Sequence, residues 1–528
     1  MSPSAAEACR IVSAIRRREL REVWTKDLEG DLTRQTDETL YPGMMFQLAR
    51  ERMEKTKLWK IVRKMPKGAL LHGHLEAMID LDLLCDLVLT LPNLYMSSTG
   101  PLVTAYDLET NPLYFQYFST VPPQPSEASN ISLWQAGYVP SSFSPVKQIA
   151  EAFPNGGIAG FRSWLKSRCT LANKATAHHR GVDDIWIQFQ RTFQVVDSIL
   201  YYEPIFRACM QRMLRELHDD GIRYVDFRLV IDFPYRRDRH DEPDSRYEAF
   251  FQAFGGEIEK FKSSPEGDGF HGARMIWSTL RTLSNRRIAE NMKHCIAIKQ
   301  KFPNLIAGYD VVGQEEKGRP LADLVPVLFW FKKKCVEAGV DIPFFFHAGE
   351  WVGDGDETDH NLYDAILLGT RRIGHGLSLH KHPLLIDLVK EKKILIECCP
   401  ISNEILRLTS SIMTHPLPAL LARGVPVALC NDDPTLLGYG KNGLTHDFCQ
   451  VLSGLENVGL AGLATMAENS IRWSCLEDQT SSEWLRDIRS GIAGTGVKAA
   501  CLKEWHIEFE SFCRWVLFEF GSEVDSEE

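Results

Sequence analysis

Histidines and carboxylates that could hold a metal ion occur in four short stretches, far apart along the chain. The stretches are His72-Gly73-His74, His347-Ala348-Gly349-Glu350, Gly374-His375-Gly376 and Asn431-Asp432-Asp433-Pro434. Each follows a short apolar run, which is where a parallel α/β barrel keeps its active site. Imidazole nitrogen and carboxylate oxygen are both ligands that zinc accepts. The pattern predicts a zinc hydrolase whose ligands are His72, His74, His347 and Asp432, with a Glu, a His and an Asp beside them for proton transfer.

The spacing inside two of the stretches supports this prediction. Side chains at positions i and i+2 of a strand point to the same face, so His72 and His74 would present both imidazoles on one side. The adjacent carboxylates of Asp432 and Asp433 repel each other unless a cation is close. A single His-x-His pair is more often a structural feature. The occurrence of four such stretches at successive strand ends favours a metal site over satisfied polar core residues.

Eight short β-rich runs alternate with longer helical stretches from residue 69 onward, which is the pattern of βαβ units. The predicted strands are 69–74, 222–230, 273–280, 304–312, 342–347, 372–375, 394–398 and 425–430. Eight strands separated by helices predict a (β/α)₈ barrel. Before it, residues 1–64 are predicted to be an N-terminal helical extension. The barrel domain is expected over 65–520, with a long irregular insertion after the first strand, about 91–180, and residues 521–528 as an acidic tail.

Composition limits the class of partner. The chain has 528 residues, of which 44% are hydrophobic and 25% charged, and its net charge is −10. An acidic chain of globular composition argues against binding to nucleic acid, and no stretch has the composition of a membrane helix. Arg16-Arg17-Arg18 interrupts any apolar signal core near the start. The thirteen cysteines have no paired spacing, so we expect a cytoplasmic protein without disulfides.

Five segments resemble the adenosine deaminase superfamily, and within it the adenosine deaminase-related growth factor branch. They are Met65-Pro66-Lys67-Gly68-Ala69-Leu70-Leu71-His72, Phe346-His347-Ala348-Gly349-Glu350, Arg372-Ile373-Gly374-His375-Gly376, Cys399-Pro400-Ile401-Ser402-Asn403 and Asp432-Asp433-Pro434. The similarity is nearly continuous from about 342 to 474 and thins before Trp186. This family consists of metal-dependent hydrolases with a (β/α)₈ barrel.

The resemblance implies one Zn²⁺ per chain, held by the four ligands predicted above, and a reaction at C6 of a purine. Zinc lowers the pKa of a bound water from ~15.7 to ~7 and so supplies hydroxide at neutral pH. By resemblance, Glu350 donates a proton to N1, His375 orients and deprotonates the water, and Asp433 accepts a hydrogen bond at N7. Adenosine, or a related 6-aminopurine nucleoside, would become inosine and ammonia, a step of purine salvage.

Three further residues are implied to bind the substrate. Gly313 resembles a glycine whose backbone N–H approaches N3, Trp186 resembles a tryptophan of the substrate pocket, and Glu76 takes the place of an Asp that reaches the ribose. An ordinary turn glycine and a core tryptophan are the alternative interpretations of the first two. Leu280 departs from the branch, because better-known members have a sugar-contacting His there and leucine cannot form a hydrogen bond.

Other functions remain open at this point. A deaminase or amidohydrolase of the same fold could act on adenine, AMP or an N6-modified purine. A phosphate-bearing substrate would need nearby cations, for which Arg281 and the Arg371-Arg372 pair are candidates, although structural roles are more common for such residues. A non-catalytic growth-factor-like binding protein is a third possibility, and it predicts that at least one chemical position is altered. The branch also implies a possible homodimer formed through the N-terminal helices and the insertion.

Overall fold

A computed structural model of the chain describes residues 1–24, 41–123, 131–171, 181–440 and 443–523. Strands and helices alternate along most of it. In chain order the strands are β1 (Gly68–His74), β2 (Leu94–Ser98), β3 (Leu113–Tyr117), β4 (Ser144–Pro145), β5 (Ile222–Val230), β6 (Gly272–Leu280), β7 (Ile306–Val312), β8 (His347–Ala348), β9 (Arg372–His375), β10 (Leu395–Cys398) and β11 (Val427–Leu429).

Eight of these strands form a closed parallel barrel. One ladder runs in the order β1-β5-β6-β7, and a second in the order β8-β9-β10-β11, with every pairing parallel. Two single-residue parallel bridges join the ladders, Tyr309 with Phe344 at one seam and Gly73 with Asp432 at the other. Closure of eight parallel strands with helices between them is the (β/α)₈ architecture, so the predicted fold class is confirmed.

The bounds of β8, the shortest strand of the barrel, differ most from the predicted bounds. A strand was expected over 342–347, but the ladder includes only His347 and Ala348, with an isolated bridge at Phe344. The backbone N–H of His347 donates to Oδ1 of Asp310 (2.9 Å) instead of to a neighbouring strand. A hydrogen bond to a side chain therefore replaces part of the backbone ladder at His347, the histidine that β8 contributes to the site.

Helices surround the barrel and precede and follow it. They are α1 (Pro3–Glu19), α2 (Phe46–Met53), α3 (Lys57–Lys64), α4 (Leu81–Thr90), α5 (Ala105–Thr110), α6 (Val146–Glu151), α7 (Gly157–Arg168), α8 (Val182–Leu200), α9 (Glu203–Asp219), α10 (Glu248–Lys262), α11 (Asn285–Lys301), α12 (Leu321–Glu337), α13 (Asn361–Leu367), α14 (Pro383–Glu391), α15 (Pro400–Ile405), α16 (Leu417–Ala422), α17 (Gly443–Gly454), α18 (Leu460–Arg472), α19 (Ser481–Ser490) and α20 (Val497–Phe520). None of those described has the length and apolar run needed to cross a membrane.

The N-terminal helices are attached to the rest of the molecule by hydrogen bonds as well as by apolar packing. Ser2 Oγ donates to Glu510 of α20 (2.6 Å), and the backbone N–H of Phe46 in α2 donates to the buried carboxyl of Glu404 in α15. The division between an extension and the barrel at residue 64 stays a prediction. Beyond residue 520, a 3₁₀ turn covers Gly521–Glu523, and the remainder of the predicted acidic tail lies outside the described residues.

The expectation that the insertion at 91–180 is irregular is wrong for its described part. Strands β2, β3 and β4 form an antiparallel sheet in the order β3-β2-β4, and three helices accompany them. Leu113, Phe115 and Tyr117 of β3 are buried while the residues between them are more exposed. This period-two alternation is a strand signal that the Pro- and Ser-rich surroundings obscured. Residues 124–130 and 172–180 of the insertion lie outside the described ranges.

Candidate active site

The carboxyl ends of three strands, and the residues after a fourth, bring the predicted ligands to one end of the barrel. Strand β1 carries His72 and His74, β8 carries His347, β9 ends at His375, and Asp432 follows β11. All five side chains are buried. His375 and Asp432 have φ angles of 61° and 58°, in the left-handed region that non-glycine residues rarely adopt. Backbone strain of this kind is concentrated at functional sites, and here it occurs at two members of one cluster.

The geometry of the cluster fits a cation. Asp432 Oδ1 lies 3.1 Å from Nε2 of His72 and 3.4 Å from Nε2 of His74. His72 Nε2 and Asp432 Oδ1 are buried, yet neither has a hydrogen-bond partner among the described residues. Ligand atoms of His72, His347, His375 and Asp432 all lie within 4.8 Å of one another. Buried lone pairs that face each other without a proton between them are what a metal ion would satisfy.

Carboxylates hold the outer nitrogens of two of these histidines. His72 Nδ1 lies 2.9 Å from Glu397 Oε2, and His347 Nδ1 lies 2.6 Å from Asp310 Oδ2. A carboxylate accepts hydrogen bonds, so each Nδ1 carries the ring proton and each Nε2 presents a lone pair to the cluster. Partners of this kind orient metal-binding histidines and select their tautomer.

A buried arginine keeps these two carboxylates charged. Arg228 in β5 contacts both Asp310 (2.9 Å) and Glu397 (2.6 Å). Burial alone would raise the pKa of each acid. His347 and then Arg228 lower the pKa of Asp310, and Arg228 and then Arg372 lower that of Glu397, so both pKa values lie below their usual range. This charged network maintains His72 and His347 in the tautomer that leaves Nε2 free to bind a metal ion.

Sequence analysis missed Asp310, Glu397 and Arg228. Asp310 and Glu397 are each the single charged residue of an otherwise apolar strand, and that contrast was the available signal, whereas Arg228 shares β5 with Arg223 and Asp226. Ser402 was also missed as a contact, although it lies in a segment that carries the family resemblance. Its hydroxyl donates to Asp432 Oδ2 (2.7 Å), which leaves Oδ1 to face the histidines.

Glu350 lies beside the cluster without belonging to it. It is buried, its backbone N–H donates to Glu315 Oε1 (2.8 Å), and its Oε1 is 3.6 Å from Nε2 of His375. Burial, followed by the nearby carboxylates of Asp432 and Glu315, raises the pKa of Glu350 well above its usual range. A neutral buried carboxyl group next to a metal-binding cluster can donate a proton.

Asp433 and Glu76 form a second acidic region next to Asp432. Asp433 Oδ1 and Glu76 Oε2 are buried without a hydrogen-bond partner among the described residues. Burial raises the pKa of both groups, and the next cause is Asp432 for Asp433 and Asp197 for Glu76. Glu76 also contributes to the shift of Asp433, so the two carboxyl groups are neighbours. Both are available to a ligand in their neutral form.

The structure places Gly313 at the end of a barrel strand and Trp186 in helix α8. Gly313, directly after β7, has a φ of 108°, and a Cβ atom built on it would lie 4.0 Å from Leu280 at the end of β6. The Leu280 side chain is 38% exposed. Trp186 is buried in α8, and Phe193, two turns further along the same helix, has its ring edge-on to His74 with centroids 6.4 Å apart. Helix α8 therefore reaches the cluster through Phe193.

A closed eight-stranded barrel with a buried His/Asp cluster at the carboxyl ends of its strands defines the class of barrel metal-dependent hydrolases. A family model described as adenosine deaminase matches residues 169–490. An adenosine deaminase of Lutzomyia longipalpis is 33% identical over 451 residues, which cover 84% of this chain and 81% of that protein. Adenosine deaminase 2 of Homo sapiens is 30% identical over 450 residues, covering 84% and 81%. The chain belongs to the adenosine deaminase family.

Solved structures share the fold at low sequence identity. An N6-mAMP deaminase of Arabidopsis has a TM-score of 0.51 at 16% identity, covering 82% of this chain and 99% of that one. An amidohydrolase from Burkholderia ambifaria with bound Zn has a TM-score of 0.52 at 15% identity, covering 90% and 98%. At these identities the likeness supports the barrel and carries no argument about the substrate.

Proposed function

We propose that the protein is a zinc-dependent hydrolase that deaminates adenosine, or a closely related 6-aminopurine nucleoside, to inosine and ammonia. The observation that carries this proposal is the buried carboxyl group of Glu350, whose pKa is raised by burial and by nearby carboxylates, beside a His/Asp cluster with unpaired lone pairs. Hydrolytic removal of the amino group from a purine needs a nucleophilic water and a proton at the ring nitrogen next to C6. This site has groups suited to both, and membership of the adenosine deaminase family supports the same substrate class.

His72, His74, His347 and Asp432 would hold one Zn²⁺, an ion that suits three imidazoles and one carboxylate. When bound, the ion supplies the Lewis-acid charge that turns water into a nucleophile at neutral pH. His74 is included because its Nε2 lies 3.4 Å from Asp432 Oδ1, on the same strand face as His72. Metal analysis of the purified protein should give about one zinc per chain, and His74→Ala should lower that content.

The proposed roles of the acids follow from their protonation. Neutral Glu350 would protonate N1 of the purine, which makes C6 more electrophilic. Sequence analysis expected Asp433 to accept a hydrogen bond at N7, and that expectation is wrong, because N7 of a 9-substituted purine has no hydrogen to donate. The raised pKa of Asp433 supports the opposite direction, in which the protonated carboxyl group donates to N7. Both acids would therefore act in the same neutral form.

The substrate-binding roles of Gly313, Trp186 and Glu76 are proposed on different grounds. The positive φ of Gly313 leaves its backbone open to a ligand next to Leu280. Glu76 has a buried oxygen without a partner in the described part of the chain, close to Asp433. Trp186 shares a helix with Phe193, which contacts His74. We propose that Glu76 binds a sugar hydroxyl and that α8 covers the base.

A nucleotide substrate is less well supported than a nucleoside. Of the three arginines considered for phosphate binding, Arg372 is paired with Glu397 and Arg371 donates to a backbone carbonyl group. Arg281 is buried and donates to the carbonyl of His347 (3.2 Å), but its Nε and Nη1 have no hydrogen-bond partner among the described residues, so it stays a candidate. Adenine and N6-modified purines remain as alternative substrates. A growth-factor-like protein without catalysis is disfavoured, since every predicted ligand and proton-transfer residue is of the required type.

A substrate panel tests the proposal. Ammonia release would be measured with zinc-loaded protein on adenosine, adenine, AMP and N6-methyladenosine, the last scored as methylamine release. We expect adenosine to give the highest kcat/KM. Turnover of another purine with adenosine untouched would reject the proposed substrate while keeping the chemistry, and no turnover of any purine would reject the enzyme function.

We also propose a cytoplasmic location and a role in purine salvage. All thirteen cysteines are free thiols, which suits a reducing compartment. Cell fractionation would test the location. A homodimer, and the absence of nucleic acid from its partners, stay predictions that light scattering and a binding assay with duplex DNA would check.

A further inference from the structure

Behind His375, buried side chains form a hydrogen-bonded chain that the proposed reaction has not used. The backbone N–H of Leu417 donates to Nδ1 of His415 (3.0 Å). His415 Nε2 lies 3.1 Å from Asn403 Oδ1, and Asn403 Nδ2 lies 3.2 Å from Nδ1 of His375. All three side chains are buried. The chain begins at a backbone amide and ends at a histidine of the active site.

The direction of each hydrogen bond follows from the backbone end. An amide N–H can only donate, so Nδ1 of His415 is an acceptor and carries no hydrogen. Histidine keeps at least one ring N–H, which must then be on Nε2, and this group donates to the oxygen of Asn403. The NH₂ group of Asn403 therefore faces His375. Turning the amide over would place two donors against each other at His415, so the orientation of Asn403 is determined.

We infer that His415 and Asn403 are positioning residues that hold His375 in its Nε2–H tautomer, so that His375 donates a hydrogen bond to the oxygen of the attacking water. In this tautomer Nδ1 accepts from Asn403 and Nε2 has no lone pair to offer. His375 is then neither a metal ligand nor the acceptor of a proton from the water. The inference rests on the proposed deaminase function and corrects the expectation that His375 deprotonates the water.

The tautomer of His375 distinguishes it from the neighbouring metal-binding histidines, whereas its distance from them does not. Its ligand atom lies within 4.8 Å of those of His72, His347 and Asp432, so spacing alone would admit it as a fourth ligand. His72 and His347 donate from Nδ1 to carboxylates and keep the Nε2 lone pair. An amide nitrogen at Nδ1 has the opposite effect on His375. The hydrogen-bond partner of Nδ1 in each ring thus decides whether Nε2 of that ring binds the metal ion or donates a hydrogen bond.

Nitrogen NMR of the zinc-loaded, ¹⁵N-histidine-labelled protein measures the tautomer directly. The His375 signals would be assigned by their loss in His375→Gln. We expect a protonated Nε2 and an unprotonated Nδ1 in the unsubstituted protein. Asn403→Asp provides two acceptor oxygens of nearly the same shape, so it should move the proton of His375 to Nδ1. A histidine in the wrong tautomer can reduce kcat by up to ~10⁴-fold in other enzymes, and we expect at least ~10-fold here with KM changed less than ~3-fold.

Substitutions at His415 separate positioning from packing. His415→Phe removes the donor, frees the Asn403 amide to rotate, and should give mixed tautomers at His375. His415→Gln retains an N–H for Asn403 and a carbonyl for Leu417, so it should restore most of the kcat lost in His415→Phe. His446→Phe is the matched control, because His446 is also buried but pairs with Glu54 through Nε2. That variant should lower thermal stability and leave the His375 nitrogen shifts unchanged.

The nitrogen spectra and the activity assays give different results if the tautomer inference fails and if the proposed function fails. Nδ1-protonated His375 in the unsubstituted protein, or unchanged shifts in Asn403→Asp, would overturn the tautomer assignment even if adenosine is deaminated. Absence of purine turnover would reject the proposed function, and the nitrogen spectrum would still report the tautomer. Should His415→Phe fail to fold, the spectra of the unsubstituted protein and of Asn403→Asp decide the question.

Discussion

At the scale of single residues, burial beside the charged carboxylate of Asp432 raises the pKa of two acids, Glu350 and Asp433. Glu350 follows β8 and Asp433 is adjacent to Asp432 in the chain, and the pKa of each is raised by burial first and by the carboxylate of Asp432 second. Two carboxylates in a dry site cannot both ionise easily, so the group that is not a ligand retains its proton. The same physical cause therefore prepares two proton donors, which would meet N1 and N7 of one purine.

Removing the proton of Glu350 tests its role. Glu350→Gln keeps the shape but has no acidic proton, so we expect kcat to fall by about 10²–10⁴, the usual range for loss of a general acid. Zinc content should stay at that of the unsubstituted protein, since Glu350 is not a ligand. Glu357→Gln, an exposed glutamate seven residues on, is the control. Undiminished ammonia release from Glu350→Gln would exclude the assigned role.

Substitutions at Asp433 test whether its side chain donates a hydrogen bond to the substrate or accepts one. An asparagine can donate from its amide but cannot carry a charge, so Asp433→Asn should retain a kcat/KM at least ~10-fold above that of Asp433→Ala, the value of about one hydrogen bond in a buried site. If a charged acceptor were required, the two variants would be equally poor. With 7-deazaadenosine, which has no N7, the difference between the variants should disappear.

At the scale of elements, the barrel places chemistry at strand ends and leaves one of those ends apolar. Strands β1 and β9 end in histidines, β8 contains His347, and β11 leads into Asp432, whereas β6 ends at Leu280. The ends of parallel strands share one edge, so a residue at the end of β6 lies at the same end of the barrel as the ligands. Leu280 is 38% exposed and next to Gly313, and it leaves recognition of the sugar to other groups.

A polar residue at the end of β6 should therefore change the preference for the sugar. Leu280→His adds a donor where room exists, and one hydrogen bond of about 0.5–1.5 kcal/mol corresponds to a KM for adenosine lowered about two- to tenfold. Adenine has no sugar, so its KM should not change. Leu280→Met is the control, with similar volume and no donor. An equal change for both substrates would show that position 280 does not face the ribose.

At the scale of the whole molecule, a titratable side chain of the barrel domain contacts the N-terminal helices. Glu404 of α15 is buried and accepts from the backbone N–H of Phe46 in α2. Burial raises the pKa of Glu404 to about 8, against the opposing effects of Phe46, Arg407 and Gln450. The side chain is thus a neutral acid in the folded protein at pH 7 and an ionised one after unfolding.

This difference predicts a pH dependence of stability. Between the unfolded pKa of about 4.5 and the folded pKa of about 8, the folded state binds more protons than the unfolded state, so the free energy of unfolding should decrease as the pH rises. Above pH 8 this contribution should level off. Glu404→Gln cannot ionise and should lack the decrease, which thermal melts from pH 5 to 9 would measure as a changing Tm difference between the two proteins. A constant difference would contradict the linkage.

Much of the barrel was predictable because parallel strands leave a local signal. The boundaries of β5 and β9 match their predictions, and the others among the long strands differ by one or two residues. A short apolar run indicates a strand, and the polar residues that follow it indicate the end of the strand that lies at the active site. The prediction failed at β8, where Asp310 takes a backbone hydrogen bond of His347, and in the antiparallel sheet of the insertion. The first depends on a partner 37 residues away, and in the second the Pro- and Ser-rich surroundings obscured the local alternation of β3.

The sequence by itself determined the fold class, the family and the types of residue in the site, since residue identity and short-range spacing carry that information. Only the tertiary structure decided how each group is protonated. Glu397 and Asp310 direct the lone pairs of His72 and His347 inward, while burial keeps the proton on Glu350 and Asp433. Apart from the effect of Asp432 on the adjacent Asp433, these states depend on charges and hydrogen-bond partners dozens to hundreds of residues away, which become neighbours only when the barrel closes.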